Sequence, residues 1–199
     1  MARTPSTMAL DIGTVAPDFT LPDYSSQERA GRLVSLAEAA QGRPLVVMFL
    51  CNHCPFVKHV RAEIANLARK LEGRVSFVAI NPNDVTNYPD DRPEKMIEEA
   101  ASAGYTFPYL YDESQAVAKA YHAACTPDFY LLDTDGRLRY RGQLDDSRPG
   151  NGLPVTGKDL RIAIDAVLQN EDPPLPQFPS LGCNIKWKAG NEPEYYLNP

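Results

Sequence analysis

The chain reads as an α/β domain, a central mixed β-sheet flanked by helices, and three stretches predict it. Residues 45–50 form a continuous apolar run led by Pro44, the pattern of a strand buried on both faces. From Pro55 the apolar spacing turns helical, and residues 75–80 then supply a second buried strand, making a strand–helix–strand unit. Downstream, Asp128–Leu132 and residues 137–141 flank Asp133-Thr134-Asp135-Gly136, a strong hairpin turn, before a closing helix.

Each element has its own signature. Val15-Ala16-Pro17-Asp18-Phe19-Thr20-Leu21-Pro22 alternates and then breaks, and with Leu33-Val34-Ser35-Leu36 it predicts a short N-terminal hairpin. In the first helix Val57, Val60, Ile64, Leu67 and Leu71 recur at three- and four-residue steps, with Lys58, Arg61, Glu63, Arg69 and Lys70 on the other face. Pro55 has no amide hydrogen and is tolerated only in the first turn, which places Cys51 at the helix mouth and Cys54 just inside it. A polar loop over 81–93 leads to a helix over about 94–103, an apolar segment at 107–111 and a short helix at 114–121. Residues 137–141 alternate Arg137, Arg139 and Arg141 with Leu138 and Tyr140, so that strand is an edge with one solvated face. Leu160, Ile164, Val167 and Leu168 mark the last helix. Beyond Asp172 the chain is rich in proline and aromatics, a tail that lies along the domain with Trp187, Tyr195 and Tyr196 as anchors. The division is a disordered 1–10, a domain over 11–170 and a packed tail over 171–199.

Composition narrows the function. A chain of 199 residues can bury one core without staples, and its 43% apolar content is ordinary. A net charge of −6 argues against a nucleic-acid surface. The first residues lack a basic start followed by an apolar run, and no stretch approaches the roughly 20 residues that span a bilayer. The expectation is a soluble cytoplasmic protein with neither nucleic-acid nor membrane partners. Four cysteines, at 51, 54, 125 and 183, are too scattered for a disulfide framework, so Cys51-Asn52-His53-Cys54 points to redox or metal chemistry. A structural zinc needs four ligands, and Cys125 with His53, His59 or His122 would have to complete them. The strand-to-helix setting favours redox; His59 and His122 otherwise read as surface or core residues.

Together these features resemble the thioredoxin superfamily over about residues 11–170. Cys51-Asn52-His53-Cys54 follows the first central strand and opens its helix, and Thr126-Pro127 sits before the hairpin, where that superfamily places a cis-proline. The Ala16-Pro17-Asp18-Phe19-Thr20-Leu21-Pro22 opening is similar to the alkyl-hydroperoxide-reductase and thiol-specific-antioxidant branch. The 81–93 loop and Gly182-Cys183-Asn184-Ile185-Lys186-Trp187-Lys188 resemble a peroxiredoxin-like subgroup of it. The resemblance implies a thioredoxin fold with an N-terminal hairpin, a helical insertion and an extended tail. It also implies a thiol–disulfide oxidoreductase working through a mixed disulfide, with no bound cofactor. A protein or small-molecule disulfide would be its substrate and a thioredoxin-reductase or glutathione-type system its reductant.

Within that expectation Cys51, the more exposed thiol, attacks as a thiolate favoured by the helix N-terminus, and Cys54 resolves. His53 adds positive charge. Thr126 presents its backbone to an extended partner beside Pro127, whose alternative reading is an ordinary trans turn proline. Two departures from the resemblance stand out: Leu50 replaces the tryptophan before the first cysteine, and Leu45 replaces the buried acid, leaving Lys58 or water to move the proton. A thiol peroxidase would need threonine three residues and proline seven residues before its cysteine. Those places hold Cys51 and Val47 if Cys54 is aligned, or Met48 and Pro44 if Cys51 is. A metal or copper carrier using Cys51, Cys54 and a histidine is the non-enzymatic alternative.

Sites in such sheets form beyond the carboxyl ends of the parallel strands. The segments 81–93, 125–127 and 142–152 should therefore rim the pocket, with Asn81, Asn83, Asp145, Asp146 and Arg148 as substrate contacts or simply solvated turn residues. Cys125 reads as a core residue or a third redox centre. Cys183 reads as a packed thiol, or as a partner for Cys125 or for the active cysteines.

Overall fold

A computed structural model describes residues 3–197. After β1 (Arg3–Pro5), strands β2 (Thr20–Asp23) and β3 (Arg32–Ser35) pair as an antiparallel hairpin. A short helix α1 (Leu36–Ala40) follows, which the sequence reading lacks although its signal is present. The Ser35 hydroxyl accepts the Glu38 amide and the Glu38 carboxylate accepts the Ser35 amide, a capping box. The strand–helix–strand unit is β4 (Leu45–Phe49), α2 (Pro55–Lys70) and β5 (Ser76–Asn81). Then come α3 (Pro93–Ala103), β6 (Tyr109–Tyr111) and α4 (Ala116–Ala120), followed by β7 (Cys125–Thr126), β8 (Asp128–Leu132) and β9 (Leu138–Gly142). Last are α5 (Lys158–Leu168), β10 (Leu181–Asn184) and α6 (Glu194–Leu197).

Seven strands form one mixed sheet in the order β3-β2-β6-β5-β4-β8-β9. β4, β5 and β6 are parallel; β8 runs antiparallel to β4, and β9 to β8. The apolar segment at 107–111 thus contributes a strand, and β6 joins the N-terminal hairpin to the sheet through Asp23 opposite Leu110. β4 is buried throughout, and its side chains alternate between two cores. Val46 and Met48 face the core built with α2, α3 and α5; Leu45, Val47 and Phe49 face the core built with α1, α4 and the tail. A large aliphatic side chain buried this fully is worth about 1.5–3 kcal/mol over its exposed state. This central strand is therefore well suited to carry the rigid edge from which Cys51 emerges.

A second sheet, β1-β10-β7, corrects the expected division of the chain. The N-terminal segment is not disordered from residue 3 onward: β1 pairs with β10, and Ser6 and Ser180 exchange hydrogen bonds at 2.9 Å. Nothing in Arg3-Thr4-Pro5 shows strand periodicity, because its order comes from a partner about 180 residues away in sequence. Met1 and Ala2 lie outside the described residues. The tail first crosses β9 at Gly142, whose φ of +140° and closeness to the Phe178 carbonyl leave no room for a Cβ. It then enters the fold itself: Ile185 is fully buried and Trp187 nearly so in the second core. The Thr126–Pro127 and Leu175–Pro176 peptides are cis. Among the described residues no helix is long and apolar enough to cross a membrane.

Candidate active site

The site gathers where β4 ends and α2 begins. Leu50, still buried, donates its amide to the Ile80 carbonyl and keeps the chain in the sheet up to Cys51. Pro55 starts α2, so Cys54 rather than Cys51 takes the N-cap position, with extended φ and ψ of −67° and 124°. The two cysteines are 1% and 0% exposed. The expectation that Cys51 is the more exposed of the pair thus meets two thiols that are both buried, because β10 and the 81–93 loop close over the site.

Three sulfurs meet here. Cys51 Sγ and Thr126 Oγ1 are hydrogen-bonded at 3.2 Å; Cys54 Sγ, as a thiol, donates to the Thr126 carbonyl at 3.3 Å. The Cys54 and Cys183 sulfurs approach to 2.6 Å. Ionisation is favoured at Cys54, first by the Cys183 thiol, next by that of Cys51, with the Val57 and Cys183 amides adding to it against burial. The Val57 amide lies near enough to favour the charge without closing a well-formed cap bond. Cys51 is driven the other way, first by burial, then by Cys54 and the negative charge of Asp91. The neighbouring thiols, with the start of α2 adding to them, therefore favour charge on the second cysteine of the motif, where the sequence reading puts it on the first.

Asp91 is the site residue that sequence reasoning missed. Fully buried, its carboxylate accepts the Asn52 amide at 2.8 Å, the His53 amide at 3.3 Å, the His53 ring Nδ1 at 2.6 Å and Asn83 Nδ2 at 2.8 Å. An ionised carboxylate only accepts, so Nδ1 carries the proton in this pair. The positive charge His53 would bring is thus matched by Asp91, and its ring stacks on Tyr88. The only sequence hint was an acidic pair between two prolines, Pro89-Asp90-Asp91-Arg92-Pro93. A second buried acid, Asp128, follows Pro127; burial raises it to about 7, and Tyr130 Oη donates to it at 3.0 Å. Lys58, the side chain expected to move the proton, is exposed on α2.

The three rim segments do converge, but most of the polar residues expected to face substrate are committed to the fold. Asn81 donates to the Asp91 carbonyl, and Asn83 holds the Asp91 carboxylate while accepting the Lys186 amide. Asp145 is fully buried and accepts the amides of Ser147, Thr156 and Gly157. Arg148 donates to the Asp145 and Ser147 carbonyls and to Gln143 Oε1, and exposed Asp146 pairs with Lys158. Asn81, Asn83 and Asp145 are thus turned into the fold, whereas Asp146 is exposed and Arg148 also borders the groove beside Pro127. Pro127, by contrast, lines a shallow groove with Phe56, Phe129, Arg148 and Leu181. Cys125 is buried, with its thiol 3.7 Å from the Pro127 carbonyl. His59 bonds Ser147 Oγ, and His122 packs against Tyr195.

For a metal, the donors that cluster among the described residues are Cys51, His53 and Asp91, within 4.8 Å of one another. The acceptor positions of Asp91 are already taken by four donors, so ligation would have to break that network.

A mixed sheet with two cysteines at the start of its central helix, against a threonine–proline edge, defines a thioredoxin-like thiol oxidoreductase. The AhpC/TSA family model matches residues 12–141, and the chain belongs to that family. It is 52% identical to an uncharacterized conserved protein from Geobacillus kaustophilus, covering 94% of this chain and 97% of that one with a TM-score of 0.89. It is 50% identical to a hypothetical protein from Sinorhizobium meliloti 1021, with 94% and 100% covered and a TM-score of 0.88. A secreted disulfide oxidoreductase from Mycobacterium tuberculosis shares the fold at 19% identity, with a TM-score of 0.55 over 74% of this chain and 95% of that one. No match was found among curated proteins.

Proposed function

We propose that this protein is a thiol–disulfide oxidoreductase whose Cys51–Cys54 couple passes two electrons to a disulfide through a mixed-disulfide intermediate. The observation that carries the reading is that both sulfurs of the Cys-x-x-Cys sit together at the start of α2 and both hydrogen-bond to Thr126. Because charge is favoured at Cys54, that sulfur attacks and Cys51 closes the pair. Asp91 and His53 hold the 51–54 loop in place, and Thr126 with Pro127 forms the wall beside it. β10 already pairs along β7, the edge an extended peptide would otherwise join. That supports a small-molecule disulfide over a protein one. A glutathione- or thioredoxin-reductase-type system in the cytoplasm would reset the thiols.

Reduction of hydroxyethyl disulfide, compared with reduction of insulin, tests this reading. Turnover of the small disulfide that is lost in Cys54→Ser supports it; no turnover of either substrate overturns it. The family match favours a second reading, a thiol peroxidase. Hydrogen peroxide consumption with dithiothreitol as reductant decides between them: rapid consumption without disulfide reductase activity would replace the first reading by the second.

A further inference from the structure

We propose that Cys183 is a third redox residue of this site, a resolving thiol, and that the oxidised chain stores its disulfide as Cys54–Cys183. The inference rests on the disulfide-exchange reading above, keeps Cys54 as the attacking sulfur, and puts Cys183 in place of Cys51 as the thiol that closes the stored disulfide. Its ground is geometric: the two sulfurs are in direct contact at 2.6 Å, and the strand register holds Cys183 opposite Thr126, the residue to which both thiols of the motif bond. Cys51 is also within hydrogen-bonding reach of the Cys54 sulfur, so Cys54 meets both other thiols.

Cys183 is held there by both neighbouring strands. β10 is the middle strand of its sheet, with Cys183 opposite Thr126 on one side and Arg3 on the other. Gly182 permits the approach: a Cβ there would lie 2.1 Å from the Thr126 carbonyl oxygen. A close-packing glycine followed by a cysteine aimed at the redox pair is more than a buried tail requires.

The chemistry balances with the reactants already named. Cys54, as thiolate, attacks one sulfur of a small disulfide, forming a mixed disulfide and releasing the first thiolate. Cys183 loses its proton to that leaving group and attacks Cys54 Sγ. The Cys54–Cys183 bond forms as the bond to the substrate sulfur breaks, and the second thiolate leaves and is protonated from solvent. One disulfide has been reduced to two thiols, and two protein thiols have been oxidised to one disulfide. That bond also fastens β10 over the site.

The test is disulfide mapping of the full-length protein. Reduced protein is treated with one equivalent of hydroxyethyl disulfide, quenched with acid, alkylated and digested for mass spectrometry. The expected result is a cross-link between the Cys54 and Cys183 peptides with Cys51 alkylated. Cys51→Ser should form the same cross-link, and Cys183→Ser should lose it. A Cys51–Cys54 linkage with Cys183 alkylated throughout overturns the inference while leaving the oxidoreductase reading intact. If the Cys54–Cys183 bond forms but catalytic turnover is absent, the oxidoreductase reading fails and the third redox residue stands.

Discussion

Replacing Gly182 with alanine would drive a methyl group into the backbone of the cis-proline turn. The added Cβ meets the Thr126 oxygen at 2.1 Å, the Thr126 carbonyl carbon at 2.6 Å and the Pro127 nitrogen at 3.1 Å. These are main-chain atoms held between two sheets, so β10 must retreat by about 1 Å or more, at a cost of about 1–3 kcal/mol typical of overpacking. The retreat takes Cys183 away from Cys54. If the loss falls on local docking, the population with the sulfurs uncovered rises by about 5–150-fold, the factor that corresponds to such an energy. Two measurements check this: the free energy of urea unfolding, and the rate of Cys54 alkylation by iodoacetamide resolved by peptide. Far-UV circular dichroism establishes that the variant is folded. An unchanged unfolding free energy together with an unchanged Cys54 alkylation rate would refute the claim that glycine is needed to seat the strand.

Three further outcomes follow from the same geometry. Asp91→Asn removes a negative charge beside Cys51, so the pH at which Cys51 becomes alkylatable should fall, and lost charge-assisted bonds should lower stability by about 1.5–3 kcal/mol; a Cys51 profile that stays in place contradicts this. The Asp128 carboxyl is raised by burial from 3.8 to about 7, so the folded state keeps a proton that the unfolded chain gives up. Its stabilising contribution is complete below about pH 4 and is lost as pH rises through 7, by at most about 4 kcal/mol. Asp128→Asn should flatten the decline in unfolding free energy between pH 5 and about pH 8; parallel curves for variant and parent would count against it. Truncation after Asn170 should abolish cooperative unfolding rather than merely uncover the thiols, because it deletes β10, Ile185 and Trp187, and loss of one buried tryptophan alone costs about 3–5 kcal/mol. A truncate that melts cooperatively at the parental temperature would show that the tail is an accessory.

Much of the α/β plan was legible because it is written in local pattern. The unbroken run at β4, the helical spacing from Val57 to Leu71 and the turn at Asp133-Thr134-Asp135-Gly136 each state their structure within a few residues. The Cys-x-x-Cys and the Thr-Pro before the hairpin likewise marked two segments that the fold brings together. What the sequence could not decide was pairing between distant segments. β1 and β10 have no strand signal of their own and are ordered by each other and by β7. Asp91 looks like any acid in a polar loop until the chain folds it under Asn52 and His53. Whether charge is favoured on a thiol depends on burial and on its neighbours, so the tertiary structure, by bringing Cys183 from the tail against Cys54 and burying Cys51 beside Asp91, favours charge at Cys54, a bias that the motif alone does not show.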